Sequence, residues 1–355
     1  MMRLTNRIKG IATMLALRKT GPEFGAVLEE VAEPELAPGF VMVEVDAAGI
    51  CGSDIHMYEW TNGYEWLIPA LPVTMGHEFA GRVSALGLGV TGLSEGQPVV
   101  VMPSYACGKC DACLAGKPEV CTRRKAVGLS VDGGFAPRVP VPVQCCLPIG
   151  NRLAPHIAAL TEPFCVGDRA VDTADVQAGQ DVVVLGPGII GLSAAYIAKQ
   201  RGASSVTIVG KNDPLRLDIA RKIGIGNVID LGDNGTLADF IPERSVDRVL
   251  EATGFGESIT QGLGLLRDFG IMAAIGIHHE PAPIDITPFV RRKLQLRGAH
   301  SSTRANWDRV LEMLPDAADE IEPIVTHQIS LADGIEGFEM SRRREACKVV
   351  IRPGM

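Results

Sequence analysis

The sequence predicts an α/β protein of two domains, with a doubly wound parallel sheet in its second half and a mostly β, barrel-like domain ahead of it. Three observations lead there. The chain has 355 residues, against about 150 for a typical domain. The β-branched run Asp181-Val182-Val183-Val184-Leu185 leads through a glycine-rich turn into an apolar stretch, Leu192 to Gln200, which reads as strand, turn, helix. Before about residue 160 the chain is rich in Val, Gly and Pro and carries short alternating runs such as Val41-Met42-Val43-Glu44-Val45, the period of half-buried strands.

Composition narrows the class. Hydrophobic residues make 46% and charged residues 21%, close to a globular average. Gly 40 and Pro 23 fall short of low-complexity sequence, so disorder and collagen are excluded. A chain this long buries enough surface to need no covalent staples. The net charge of −8, with no long run of Lys and Arg, disfavours nucleic acid and anionic membranes as partners. No apolar run approaches the ~18 residues of a membrane span. The opening stretch, Met1 to Thr13, is basic but leads into no sustained apolar segment, so it reads as an extension ahead of the first strand rather than a signal peptide. The expectation is a cytoplasmic protein. Nine cysteines in a reducing compartment then point away from disulfides.

The first domain holds two clusters of metal-ligating residue types. Upstream lie Cys51-Gly52-Ser53-Asp54-Ile55-His56 and Gly76-His77-Glu78. Cys51 and His77 are suitable zinc ligands, but a catalytic zinc needs about three protein ligands and one open position. Glu162, in Thr161-Glu162-Pro163-Phe164, is the candidate for the third, and Cys165 competes with it three residues later. Taken singly, each has a duller role: a small buried thiol, a core histidine, a helix-capping acid. Cys107, Cys110, Cys113 and Cys121 form the second cluster, four cysteines within fifteen residues. Two-residue gaps present successive thiolates to one point, and Gly108, Gly116 and Pro118 supply the tight backbone. Four thiolates fill a tetrahedral zinc shell and leave no position for chemistry, so this site reads as structural. An iron–sulfur cluster is the alternative, without the proline that commonly follows its last cysteine.

In the second domain the strand at 181–185 is followed by Gly186-Pro187-Gly188-Ile189-Ile190-Gly191. G-x-G-x-x-G between strand and helix is a dinucleotide fingerprint: the glycines admit a pyrophosphate close to the backbone, and the helix N-terminus offers it free N–H groups. Strand–helix alternation continues through Val206–Val209, Arg216–Ile223, Arg248–Ala252 and Ile271–Ile275. Nineteen residues after Gly191, where an acid would bind a ribose hydroxyl, stand Gly210, Lys211 and Asn212. Asp213 is near enough to restore such a contact.

The order Cys-Gly-Ser-Asp-x-His, Gly-His-Glu, four-cysteine lobe, Glu-Pro-Phe and glycine fingerprint resembles the zinc-dependent medium-chain alcohol and polyol dehydrogenases, from about Leu15 to the C-terminus. The resemblance implies a GroES-like catalytic domain over 1–160 and 299–355, and a Rossmann domain over 161–298. It makes Cys51, His77 and Glu162 ligands of a catalytic zinc, Glu162 standing where the polyol branch has its glutamate. Glu78 becomes a neighbouring acid able to approach or exchange at the metal, and Asp54 an acceptor that orients His77. Ser53 and His56 become a proton relay from the substrate oxygen to solvent. Gly186, Gly188, Ile189, Ile190 and Gly191 become cofactor-binding residues. Gly210 followed by Lys211 resembles the NADP-using members, with Arg216 assisting against a 2′-phosphate, so NADP is expected ahead of NAD.

The implied reaction moves a hydride between a secondary alcohol, a polyol or sugar-derived alcohol, and a nicotinamide cofactor, with two zinc ions per chain. A threonine 3-dehydrogenase-like oxidation of a 3-hydroxy amino acid is the runner-up, since Cys-Gly-Ser-Asp-Ile-His-Met-Tyr-Glu-Trp is similar to those enzymes. A zinc-free quinone or alkene reductase of the same fold and a non-catalytic cofactor-binding scaffold are the rival classes. The family implies a homodimer or homotetramer. The aromatic segment Met57–Trp66 either caps the substrate or lies at a subunit contact. His156, His278, His279, His300 and His327 are read as non-metal, and Cys145, Cys146 and Cys347 as small buried residues.

Overall fold

The computed structural model describes residues 12–355. The opening stretch read as an extension, Met1 to Thr13, lies outside the described residues as far as residue 11, and its last residue, Thr13, begins the first strand. The chain divides into two compact units, one running to Asn151 and joined by Gln328–Glu339 and Val350–Met355, the other Arg152–His327 with Met340–Val349.

The first unit is built from strands. β1 (Thr13–Lys19) pairs antiparallel with β2 (Val27–Ala32). β3 (Phe40–Gly49) buries Val41, Met42, Val43 and Val45 and is buried throughout its last three residues, Ala47 to Gly49. Helix α1 (Gly52–Glu59) starts where β3 ends, and β4 (Val73–Thr74) precedes β5 (Glu78–Leu86). β3 and β5 are antiparallel from Val41↔Leu86 to Gly49↔Glu78. That register sets the start of β5 beside the end of β3, within two residues of Cys51. β6 (Pro98–Val101) extends the sheet beyond β5. The short strands β7 (Ser104–Tyr105) and β8 (Lys125–Ala126) pair with each other and flank a lobe that holds helix α2 (Asp111–Leu114). β9 (Arg138–Pro142) pairs with β3, and β10 (Cys146–Pro148) with β6.

The second unit opens with helices α3 (Pro155–Ala158) and α4 (Thr161–Thr173). Strands and helices then alternate: β11 (Asp181–Leu185), α5 (Ile189–Gln200), β12 (Ser205–Gly210), α6 (Pro214–Lys222), β13 (Asn227–Asp230), β14 (Val246–Glu251), α7 (Gly256–Leu265), β15 (Leu266–Ala274), α8 (Ile286–Arg291) and β16 (Gln295–Gly298). The six strands are all parallel in the order β13-β12-β11-β14-β15-β16. Val183, Leu185, Val249, Leu266 and Met272 are buried in its core. The order reverses between β11 and β14, and ligands of such sheets bind at the carboxyl ends of the strands at that point. This is the doubly wound fold the sequence pattern implies.

The units divide otherwise than at the boundaries read from the sequence. Residues 152–160 and 299–327 group with the parallel sheet, for a physical reason. In α9 (Arg304–Ile321), Asn306 donates to Asp168 at 2.8 Å and to Asp172 at 2.9 Å, and Arg309 Nε donates to Asp168 at 3.0 Å. This charged network pins α9 to α4. After α9 come β17 (Val325–Ser330), α10 (Gly334–Arg342) and β18 (Lys348–Arg352). β18 lies antiparallel to the end of β3 through Val350↔Gly49 and Ile351↔Ala48.

Candidate functional site

The first unit brings Cys51, His77 and Glu78 together: one ligand atom from each lies within 4.8 Å of the others. Cys51 sits between β3 and α1, His77 and Glu78 at the start of β5, and the β3–β5 register joins the two places. Gly76 holds the approach. It has φ +94°, and a Cβ there would lie 2.5 Å from the Phe135 ring, so only glycine passes the chain through this point.

Asp54 locks the arrangement. Its Oδ2 accepts the backbone N–H of Cys51 at 2.9 Å, and its Oδ1 lies 3.4 Å from His77 Nδ1. The second contact leaves Nε2 of His77 as the nitrogen for a metal. Asp54 and Glu78 are fully buried and His77 nearly so. Burial alone would pull the His77 imidazole down, but the charges of Asp54 and Cys51 outweigh it and hold it well above its ordinary value. A half-buried thiol with a buried imidazole and two buried carboxyls forms an anionic donor set that suits a borderline-soft cation such as zinc.

Ser53 and His56 are both on α1. The His56 Nδ1 lies 3.3 Å from Thr61 Oγ1. Tyr64 is a site residue that the sequence reading did not single out within its aromatic segment. Its ring centroid is 5.9 Å from that of His56, and Ser53 is close enough to act on its phenol. Burial above all pushes that phenol up to about 12. The rest of the segment divides: Tyr58 is buried, stacks on Phe338 and donates to Glu339 at 2.9 Å, whereas Trp66 is exposed.

The four-cysteine lobe also converges. Cys110 and Cys113 sulfurs are 3.4 Å apart, Cys110 and Cys121 3.7 Å, Cys107 and Cys113 4.0 Å. Four sulfurs 2.3 Å from a shared tetrahedral centre sit about 3.8 Å apart, so the lobe has the dimensions of a zinc site. The backbone N–H of Cys113 is the first cause holding the Cys110 thiol down to about 5, which favours the thiolate a metal requires.

Glu162 and Cys165 belong to the second unit, in the first turns of α4. Cys165 is fully buried, and burial raises its thiol well above the usual range. Cys145 and Cys146 are likewise buried, whereas Cys347 is half-buried. His278 is paired with Glu251 at 3.0 Å.

The second unit holds a cavity of about 1090 Å³ at the carboxyl ends of β11, β12 and β14, lined among others by Gly186, Gly188, Gly210, Lys211, Arg216 and Arg344. Gly188 caps α5, whose first residues are Ile189 and Ile190. A Cβ on Gly191 would lie 1.8 Å from the carbonyl oxygen of Gly186, so the turn closes only around glycine. The pocket thus presents backbone N–H groups at a helix N-terminus, as a pyrophosphate requires. At the end of β12, Lys211 is exposed, and among the described residues it makes no hydrogen bond or ion pair. Asp213 is buried, caps α6 through the Arg216 N–H and pairs with the Arg216 guanidinium at 3.2 Å. Asp213 is therefore occupied, and Gly210 offers no acid to a ribose. Arg344 is a cavity residue the sequence reading missed. No local motif marks it, because it comes from far along the chain.

The comparisons with known proteins agree with this geometry. The alcohol dehydrogenase GroES-like domain family matches residues 37–151, and the zinc-binding dehydrogenase family matches residues 190–316. The chain is 34% identical over 346 residues to an L-threonine 3-dehydrogenase of Rhizobium etli, covering 95% of this chain and 98% of that one. It is 33% identical over 349 residues to a sorbitol dehydrogenase of Halalkalibacterium halodurans, covering 96% and 99%. A solved structure from Sinorhizobium meliloti 1021, assigned as a zinc-binding dehydrogenase and bound to NADP, superposes with a TM-score of 0.86 at 28% identity, covering 96% of this chain and all of that one. Among the described residues no helix is long and apolar enough to cross a membrane.

Proposed function

The chain belongs to the zinc-dependent medium-chain alcohol dehydrogenase family, and from that premise we propose that it moves a hydride between a secondary alcohol, of polyol or sugar-derived type, and NADP. The observation that carries the reading is the Cys51–His77–Glu78 donor set, its imidazole and carboxyl buried and its thiol half-buried, with Asp54 behind it. Cys51, His77 and Glu162 hold a catalytic zinc in this reading, with Glu78 beside them; Cys107, Cys110, Cys113 and Cys121 hold a structural one.

When bound, zinc supplies Lewis acidity to the alcohol oxygen and the nicotinamide exchanges the hydride. The chain's own residues do the rest. Asp54 fixes both the Cys51 backbone and the His77 ring. Ser53 takes the hydroxyl proton and His56 passes it to solvent, so the carbon loses a hydride and the oxygen a proton in one oxidation. Gly186, Gly188 and Gly191 let the pyrophosphate approach the N–H groups of Ile189 and Ile190. Lys211, on a strand end with no acid, faces the 2′-phosphate.

A second reading has a specific observation in its favour. The L-threonine 3-dehydrogenase of Rhizobium etli is similar to this chain over nearly its whole length, which supports a 3-hydroxy amino acid as substrate. One experiment separates these: oxidation of sorbitol, 2,3-butanediol and L-threonine with NADP and with NAD, alongside zinc content per chain. Two zincs with turnover of the diols support the proposal, and turnover of threonine alone replaces the substrate. A single zinc with quinone reduction moves the chain to the zinc-free reductases, and failure to bind either cofactor makes it a scaffold.

A further inference from the structure

We infer that Arg344, carried on the C-terminal chain, is the second cation of the 2′-phosphate subsite and sets cofactor choice together with Lys211. The inference rests on the NADP reading above. Arg216 is the cation that sequence spacing offers for this role, and the structure engages it elsewhere. Its Nε and Nη2 donate to the carbonyl of Ala346 at 3.2 and 2.9 Å, and its Nη1 pairs with Asp213 at 3.2 Å. Its charge is matched by Asp213, and its remaining donors are taken up by the Ala346 carbonyl.

That same bond places Arg344. Residues 340–349 group with the cofactor unit although the chain on either side does not. Ala346 is held by Arg216, and the N–H of Cys347 donates to Thr326 Oγ1 at 3.0 Å. Arg344, two residues before Ala346, lines the cavity with Gly210, Lys211 and Asn212. Its neighbour Arg343 is bound to Glu345 at 2.9 Å. The Arg344 guanidinium is exposed and, among the described residues, makes no hydrogen bond or ion pair.

The backbone adds a second observation. Arg344 has φ 58°, and its N–H closes a turn on the Ser341 carbonyl at 3.2 Å. It follows α10 in the left-handed conformation, where glycine is the ordinary choice. An arginine at such a position, with its fork unengaged, is a side chain kept for what it reaches. Guanidinium forks match phosphate oxygens in a way that a single ammonium does not. Lys211 and Arg344 together supply a point charge and a fork.

The test is titration of the purified protein with NADPH, NADH, 2′-AMP and 5′-AMP, following intrinsic fluorescence. Wild type should bind NADPH and 2′-AMP more tightly than their partners. Arg344→Gln should weaken NADPH and 2′-AMP by about tenfold and leave NADH and 5′-AMP within twofold. Arg344→Gly should show the same loss with an unchanged or raised Tm, since glycine relaxes the turn; this separates a binding role from a structural one. Arg344→Lys should recover part of the affinity. Equal loss on NADPH and NADH, or no loss in a wild type that prefers NADPH, overturns the inference and leaves the NADP reading standing. A wild type that prefers NADH overturns that reading itself.

Discussion

Asp54 Oδ1 lies 3.4 Å from Nδ1 of His77, and both groups are buried. The other carboxylate oxygen holds the backbone of Cys51, so one side chain sets the orientation of two residues of the proposed zinc site. Removing its charge while keeping its shape therefore acts at the metal. Asp54→Asn is expected to lower zinc affinity at the catalytic site by about 10–100-fold, the usual effect of losing such a partner. Competition with a chelator, followed by zinc content, measures it. Affinity unchanged from wild type would mean that Asp54 serves only to start α1.

The four-cysteine lobe should respond differently. Its sulfurs are already spaced as a tetrahedral shell requires, and metal affinity there is folding free energy. Cys110→Ser should lose one zinc of two and lower Tm at roughly 2–4 °C per kcal/mol lost. Activity per folded molecule that keeps the zinc of the Cys51–His77 site should stay within about threefold, because the four-cysteine shell is closed to substrate. A variant that keeps two zincs and its Tm, yet loses activity, would reverse the roles of the two clusters.

Much of this was legible in the sequence because it is local. The fingerprint Gly186–Gly191 and the four cysteines are short patterns whose chemistry follows from spacing. What the sequence concealed depends on contacts between distant residues. The register Gly49↔Glu78 brings Glu78 level with the end of β3; the motif order implied Glu78 as an acid of this site, but no local pattern shows the strand pairing that sets it there. Arg216 and Ala346 are 130 residues apart, so spacing offered Arg216 to the cofactor, while the fold ties it to the chain that carries Arg344. The division of the units failed to follow the sequence boundaries for the same reason: Asp168 and Arg309 meet across 141 residues. Within the aromatic segment, composition alone could not tell buried Tyr58 from exposed Trp66.

Glu162 tests the composition of the catalytic shell. It stands in the first turn of α4, where an acid also favours the helix dipole by about 0.3–1 kcal/mol. Glu162→Ala should therefore cost little stability, while lowering catalysis about 100-fold or more and weakening one zinc. Glu78→Gln, made alongside it, should have the smaller effect on zinc content. If Glu162→Ala retains full activity and both zincs, the ligand set is Cys51, His77 and Glu78.

The proposed Ser53–His56 relay would have a pH signature. An imidazole titrates near neutrality and carries a proton away from a closed site at neutral pH. Without it, proton loss depends directly on hydroxide. His56→Gln should slow alcohol oxidation about 100-fold at pH 7, with the deficit shrinking steadily toward pH 10. A constant deficit from pH 6 to 10 would assign His56 to structure, through its contact with Thr61.

Cofactor choice can be moved at the end of β12. The direct route, an acid at residue 210, meets an obstacle: a Cβ on Gly210 would lie 3.0 Å from both Pro187 Cγ and Leu217 Cδ2. Pro187 is part of the fingerprint turn, so any shift that makes room there acts on the turn that faces the pyrophosphate. Lys211 is exposed and lines the same cavity, so a carboxylate fits there at no steric cost. Lys211→Asp removes the attraction to a 2′-phosphate, adds repulsion, and offers ribose hydroxyls an acceptor. NADPH should bind at least tenfold more weakly, about 1.4 kcal/mol, and NADH several-fold more tightly, both read by fluorescence titration. Parallel weakening of the two cofactors would show that Lys211 answers to the pyrophosphate they share, and that discrimination at the 2′-position rests elsewhere in the pocket.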